Sequence, residues 1–97
     1  MIEQAKEIAE LLKVLANENR LIIVCYLLNE PLNVSQLHER MTHLTQPALS
    51  QHLAILKANR ILKSDKEGLT ITYSILDNRI GNLIGVIKEN YCCDNCK

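Results

Sequence analysis

Residues 44–56 read LTQPALSQHLAIL, and this stretch decides the fold. Thr45 can cap a helix through its side-chain oxygen, and Pro47 suits a first helical turn, where its missing N–H leaves no hydrogen bond unmade. Leu49, Leu53 and Leu56 are spaced so that they form one apolar stripe on a helix. The stretch therefore predicts an amphipathic helix that runs to about residue 59.

The leading edge of this helix is polar, and its side chains are long enough to reach base edges in a DNA groove. These side chains are Gln46, Ser50, Gln51 and His52. The alternative is an ordinary surface helix whose polar side chains face water. The segments on either side of the helix favour the first interpretation.

These flanking segments predict a winged helix-turn-helix. Residues 34–41 form a short helix that Asn33 or Ser35 can cap, and residues 42–44 make a tight connection to the next helix. After Arg60, residues 61–64 and 69–75 alternate as β-strands do, with a turn at residues 65–68. We therefore expect a two-stranded wing behind the helix-turn-helix.

Three further helices complete a mainly α fold that forms a single domain over residues 1–97. Residues 3–16 are amphipathic, whereas residues 19–29 are apolar on nearly all sides, which indicates a central buried helix. A last helix begins after Asp77 or Asn78, and its Gly81 and Gly85 would allow another helix to approach closely. The first and last helices have apolar faces that a small monomer cannot easily cover, so we expect them to form a dimer interface.

Positive charge is concentrated around the polar helix although the whole chain is neutral. Residues 40–66 carry five basic side chains and one acidic side chain, a local balance of +4. A surface that faces DNA phosphates needs such charge, although a patch of this size also arises by chance.

The remaining composition indicates a cytoplasmic protein that does not contact a membrane. The first residues are acidic and lack the pattern of a signal peptide. The longest apolar run, residues 21–28, is too short to span a membrane. In this compartment the four cysteines are expected to be mainly reduced thiols.

The order of elements, with LANENRL at residues 15–21, SQHL at 50–53 and GLTITYSI at 68–75, closely resembles the ArsR/SmtB family of dimeric winged-helix repressors. The resemblance covers about residues 8–91. It implies a homodimer that binds an inverted repeat in double-stranded operator DNA, with two recognition helices about 34 Å apart. By position, it implies that DNA is faced by Thr45, Gln46, Ser50, Gln51 and His52. The residues that it implies for phosphate contacts are Lys57, Arg60, Lys63 and Lys66.

The chain departs from the family pattern at two points on this surface. Pro47 replaces the usual Ser or Ala and removes one possible contact. Glu67 places an acidic side chain at the wing tip, where basic ones are common, so we expect a lower affinity of the wing for DNA.

Two of the family's metal sites lack their ligands in this chain. The site on the third helix needs a Cys-x-Cys that residues 32–35 do not contain, and the zinc site on the last helix needs His, which residues 77–91 lack. The motif RLIIVCYL at residues 20–27 and the pair Tyr91-Cys92 instead resemble the redox- and sulfide-responsive branch. This resemblance implies a switch without a cofactor, in which a disulfide or polysulfide bridge between Cys25 and Cys92 releases the DNA.

Other roles for the thiols stay open. Cys92, Cys93 and Cys96 could together bind a thiophilic ion such as trivalent arsenic, Zn or Cd, and a C-terminal thiol cluster is known in arsenic-responsive members of the family. Alternatively, Cys25 is a small apolar core residue and residues 92–97 are a Cys-rich tail with spare thiols. The spacing of Cys93 and Cys96 is also that of thiol oxidoreductases, but those enzymes place the pair at a helix N-terminus. Here the pair follows a helix C-terminus, where the dipole raises the pKa of a thiol, so we do not expect an enzyme.

Overall fold

The computed structural model describes the backbone of residues 2–92 and the side chains of residues 2–91. A helical pair precedes the helix-turn-helix, and a hairpin and a last helix follow it. The elements in chain order are α1 (Ile2–Leu15), α2 (Glu18–Asn29), β1 (Leu32–Asn33), α3 (Val34–Arg40), α4 (Gln46–Ala58), β2 (Leu62–Glu67), β3 (Thr70–Ile75) and α5 (Asn78–Ile87). A π-helical turn over Lys88–Cys92 continues α5. The predicted mainly α winged helix-turn-helix is confirmed.

Four helices begin where the sequence supplies a capping side chain. In each case an oxygen of the cap accepts a hydrogen bond from a backbone N–H in the first turn, which typically stabilises a helix by ~1 kcal/mol. The caps of α2, α3, α4 and α5 are Asn17, Asn33, Thr45 and Asp77, respectively. Asn33 also shares a capping box with Gln36.

The β-sheet has three antiparallel strands in the order β1-β3-β2, so the prediction of two strands was incomplete. The short strand β1 pairs Leu32 with Tyr73, and Leu32 is buried in the core. The predicted turn at residues 65–68 was also wrong, because β2 extends to Glu67, which pairs with Thr70. Only Gly68 and Leu69 make the turn, and the φ of +61° at Gly68 fits a type II′ hairpin with glycine in its first position.

The core is aliphatic and centres on α2 and α4. Ile23, Val24 and Leu27 of α2 are buried, which confirms that α2 is a central helix. The predicted stripe of α4 is confirmed as well, since Leu49, Leu53 and Leu56 are all fully buried.

The two glycines of α5 have different surroundings. A Cβ atom on Gly81 would lie 3.3 Å from Cδ2 of Leu28, so this glycine allows α5 to pack closely against α2. A Cβ atom on Gly85 would meet no atom within 4 Å among the described residues. Packing within one chain therefore explains Gly81 but not Gly85.

Part of the apolar surface of α1 and α5 is exposed. The exposed apolar residues include Ile8 and Leu12 on α1 and Leu83, Val86 and Ile87 on α5. Across residues 2–92, none of the helices has both the length and the apolar character that crossing a membrane requires.

Candidate DNA-binding surface and thiol site

The face of α4 opposite the core stripe is open to solvent. Pro47, Ser50, Gln51, Ala54 and Lys57 are all exposed on it. Because the leucine stripe holds the other side of the helix in the core, this face can enter a groove without disturbing the fold. The side chains on this face are either short or polar, which suits close approach to base edges.

A groove of about 280 Å³ separates the N-terminal end of α4 from the hairpin. Gln46 and Ser50 line it from α4, Ser35 from α3, and Thr70 and Ile71 from β3. The structure thus brings two of the predicted DNA-facing residues together with the wing. Thr45 stands at the start of the same helix, where its Oγ1 accepts a hydrogen bond from the N–H of Ala48 at 3.2 Å.

The basic side chains predicted to contact phosphates are exposed but do not form one cluster. Lys63 shares the outer face of β2 with Asp65 and Glu67, because side chains two residues apart lie on the same face of a strand. Lys66 is on the opposite face of the strand. The acidic neighbours of Lys63 reduce the positive potential of the wing.

Arg60 lies beyond the other end of α4. It lines a depression together with Glu7 and Glu10 of α1, roughly 20 Å along α4 from Gln46 at 1.5 Å per residue. Its φ of 60° is left-handed, and it stands at the C-terminal end of α4 where a glycine is usual. The structure therefore does not bring Arg60 together with the residues of the groove.

His52 lies on the flank of α4 and is half-buried against α2. Its Nδ1 is 3.4 Å from Nη1 of Arg20, and Nε of Arg20 donates a hydrogen bond to the carbonyl oxygen of Val14 at 2.6 Å. Burial and, to a lesser extent, the positive charge of Arg20 lower the pKa of His52. His52 is thus held as a neutral ring next to the exposed face of α4.

The other two histidines hold the helix-turn-helix in place. Nε2 of His38 donates to the carbonyl oxygen of Leu44 at 2.8 Å, which closes the turn before α4. Nε2 of His43 donates to Oδ1 of Asn19 at 2.8 Å, which ties this turn to the start of α2.

Asn19 and Arg20 were not among the residues predicted to support the DNA-facing surface. They are neighbours in the first turn of α2, and each contacts a histidine of the helix-turn-helix. Sequence periodicity gives no signal for these pairings, because the partners are 24 and 32 residues apart. The motif LANENRL at residues 15–21 was the one indication that this turn matters.

Cys25 is buried in α2 at 9% exposure. It is three residues before Leu28, so the two side chains are neighbours on the face of α2 that packs against Gly81 of α5. α5 continues into the π-helical turn that ends at Cys92. A π-helix has a different rotation per residue from an α-helix, so the residues after Lys88 follow a different angular spacing from those of α5.

The side chain of Cys92 and all of Cys93 and Cys96 lie outside the described residues. Within residues 2–91, no group of three or more His, Cys, Asp or Glu side chains could hold a metal ion. The proposed thiol cluster of the tail stays a prediction.

The chain is similar in sequence and in structure to known bacterial regulators. Residues 17–64 match the family described as bacterial regulatory protein, arsR family. The transcriptional activator HlyU of Vibrio cholerae is 40% identical over 85 residues, which cover 88% of this chain and 78% of that protein. The HTH-type transcriptional regulator YgaV of Escherichia coli is 33% identical over 88 residues, which cover 91% of this chain and 89% of that protein.

A solved structure of reduced HlyU from Vibrio cholerae superimposes with a TM-score of 0.88 at 37% identity, covering 95% of this chain and 96% of that one. The helix-turn-helix, the wing and the two preceding helices are therefore those of DNA-binding transcriptional regulators rather than of enzymes. Because residues 17–64 match the family and these relatives are similar over most of the chain, the chain belongs to the ArsR family of bacterial regulatory proteins.

Proposed function

We propose that this chain is a homodimeric repressor that binds an inverted repeat in operator DNA while its thiols are reduced. A bridge between Cys25 and Cys92 then releases the DNA. The observation that supports the thiol switch is that Cys25 is buried one turn before Leu28, which packs against Gly81 of α5, the helix that leads to Cys92.

The open face of α4 supports the binding of DNA. Ser50 and Gln51 are exposed on a helix whose other side is fixed in the core, and Gln46 lines the groove beside the wing. We propose that this face enters the major groove and that Lys57, Lys63 and Lys66 contact phosphates on either side. Arg60 is a weaker candidate, because it lies beyond the C-terminal end of α4, at the opposite end of the helix from Gln46.

The exposed apolar surface of α1 and α5 supports a homodimer. Leu12 and Val86 are 48% and 56% exposed, and α5 has further exposed apolar residues beside them. A second copy of the chain would bury this surface by isologous contact. Two recognition helices related by a two-fold axis then match an inverted repeat.

The chemistry of the switch needs only the two thiols and an oxidant. With hydrogen disulfide as the oxidant, two thiols lose two protons and two electrons to form a disulfide, and the S–S bond of the oxidant is cleaved to give two molecules of hydrogen sulfide. With hydrogen peroxide the same electrons reduce the O–O bond and yield two molecules of water. A bridge requires Cα atoms within about 7 Å of each other, so it constrains how α2 and the end of α5 are arranged.

The competing proposal is that Cys92, Cys93 and Cys96 bind a thiophilic ion such as trivalent arsenic, Zn or Cd, which releases the DNA without Cys25. One titration series separates the two proposals. A duplex is first selected from a randomised pool with the reduced chain, and its release is then followed with polysulfide, hydrogen peroxide, arsenite, Zn²⁺ and Cd²⁺.

We expect polysulfide and peroxide to lower the affinity for the selected duplex by about 5–150-fold, the range of a typical coupling free energy. Cys25→Ser should abolish this response, and peptide mass spectrometry should find Cys25 linked to Cys92. The matched control is the double variant Cys93→Ser/Cys96→Ser, which should respond as the wild type does. A full response in Cys25→Ser, or release by metals alone, would contradict the proposed pair.

A further inference from the structure

We propose that Arg20 is a positioning residue for DNA readout, because its guanidinium fixes His52 as the tautomer whose Nε2 donates a hydrogen bond to a DNA base. This inference rests on the proposed function, since it requires α4 to enter the major groove. Arg20 itself is on α2, outside the helix-turn-helix, and was not predicted to have a role.

The contacts of Arg20 hold its side chain at two points. Nε donates to the carbonyl oxygen of Val14 in the last turn of α1 at 2.6 Å, and Nη1 is 3.4 Å from Nδ1 of His52 on α4. Among the described side chains Arg20 takes part in no ion pair, so an acidic partner does not account for its position. The planar guanidinium joins three helices because its donors point in fixed directions.

The tautomer of His52 follows from the chemistry of this contact. A guanidinium has hydrogen-bond donors and no acceptor, so Nδ1 of His52 must accept with its lone pair. A neutral imidazole carries one N–H, which is then on Nε2. The lowered pKa of His52 agrees with a ring that stays neutral.

A neutral donor contributes to DNA binding through direction rather than through charge. A neutral ring attracts phosphates less strongly than the charged Lys57 does. Its N–H instead matches hydrogen-bond acceptors in the major groove, namely N7 and O6 of guanine or O4 of thymine. His52 follows the exposed Gln51 on α4, so both are near the surface that would face the bases. We therefore assign the Nε2–H of His52 to a base acceptor.

The first part of the test is spectroscopic and needs no DNA. Long-range ¹H–¹⁵N NMR spectra of histidine-labelled protein distinguish the two tautomers. We expect His52 of the wild type to carry its hydrogen on Nε2, and we expect Arg20→Met to give a mixture of tautomers. Arg20→Lys keeps the charge but not the two-point fork, so it should also give a mixture, and it serves if Arg20→Met does not fold.

The second part is a double-mutant cycle on the duplex selected by the reduced wild type. Arg20→Lys and His52→Ala should each lower the affinity about tenfold, a typical loss for one base contact. Arg20→Lys should cause no further loss in the His52→Ala background, because it acts through that ring. The matched control is Gln51→Ala, whose loss should add to that of Arg20→Lys, since the exposed Gln51 has no hydrogen bond to Arg20 among the described residues.

Additive losses of Arg20→Lys and His52→Ala, or an unchanged tautomer in the Arg20 variants, would overturn the inference while leaving the proposed function intact. If the wild type selects no duplex at all, the proposed function fails and the DNA role of Arg20 fails with it. The NMR spectra would still show whether Arg20 fixes His52.

Discussion

Arg60 adopts a backbone conformation that glycine usually supplies at the end of a helix. It follows the C-terminal end of α4, where its N–H donates to the carbonyl oxygen of Lys57 at 3.0 Å and the N–H of Ile61 donates to that of Leu56 at 3.0 Å. These two bonds form a Schellman motif, whose left-handed position usually holds glycine. Arg60 adopts that position with a φ of 60°.

We expect Arg60→Gly to raise the free energy of unfolding by about 0.5–1 kcal/mol. Relief of the left-handed conformation should contribute about 1–2 kcal/mol, and the greater freedom of glycine in the unfolded chain should offset about 0.5–1 kcal/mol of it. Urea unfolding measures this change. Arg60→Ala is the control, because it removes the same side chain without relieving the strain and should not stabilise the fold.

The same two variants test the charge of Arg60. If Arg60 contacts a phosphate, both variants should weaken binding to all duplexes alike and reduce the salt dependence by about one contact. Unchanged DNA binding in both would remove Arg60 from the phosphate contacts.

The residues whose contacts could be predicted from the sequence are those whose partners are close in the chain. Thr45 was predicted as a cap, and Asp77 was one of two candidates with Asn78, because a cap acts within its own first turn. The contact between Arg20 and His52 could not be predicted, because it depends on how α2 crosses α4 and has no periodic pattern.

Two glycine-to-alanine substitutions in the helix α5 make the same chemical change in different surroundings. Gly85→Ala should raise the free energy of unfolding by about 0.5–1 kcal/mol through helix propensity, because its Cβ enters open space within the protomer. Gly81→Ala should raise the free energy of unfolding by less than Gly85→Ala does, or should lower it. Its Cβ would be 3.3 Å from Cδ2 of Leu28, so the leucine must move.

Urea unfolding of both variants at several protein concentrations tests this difference. A larger gain for Gly81→Ala would contradict the packing of α5 on α2. If Gly85→Ala instead lowers the stability of the dimer, Gly85 lies against the partner protomer.

The elements that the sequence missed are those that have no pattern of their own. The strand β1 has two residues, and tertiary pairing with β3 alone makes it a strand. The polar run over residues 65–67 resembled a turn, yet it lies in β2 because Thr70–Ile75 supplies the matching backbone partners. The π-helical turn after α5 likewise could not be read from apolar spacing.

In the whole molecule, α2 connects the two proposed sites. Arg20 is in its first turn beside α4, and Cys25 is five residues later on the side of α5, about 7.5 Å along the helix axis at 1.5 Å per residue. The proposed DNA contact and the proposed thiol bridge therefore share one rigid helix. α1 contributes less to the core, since Leu15 is its one buried residue and Leu11 and Val14 are half-buried against the core.

The small buried surface of α1 leads to a prediction for the whole molecule. A 14-residue helix is marginal in water without tertiary packing, so we expect a second copy to cover α1 and α5. Val86→Glu places a charge on the exposed face of α5 and should shift the protein to a monomer in analytical ultracentrifugation. Its affinity for the selected duplex should fall to that for an isolated half-site, because the two recognition helices then bind independently.

Leu69→Glu is the matched control for this experiment. Leu69 is a large apolar residue with 99% exposure, but it is at the wing tip, away from α1 and α5. The same change there should leave the dimer intact even if it weakens contact with DNA. A monomer in both variants would show that added charge, rather than the face of α5, controls association, and a dimer in both would place the interface elsewhere.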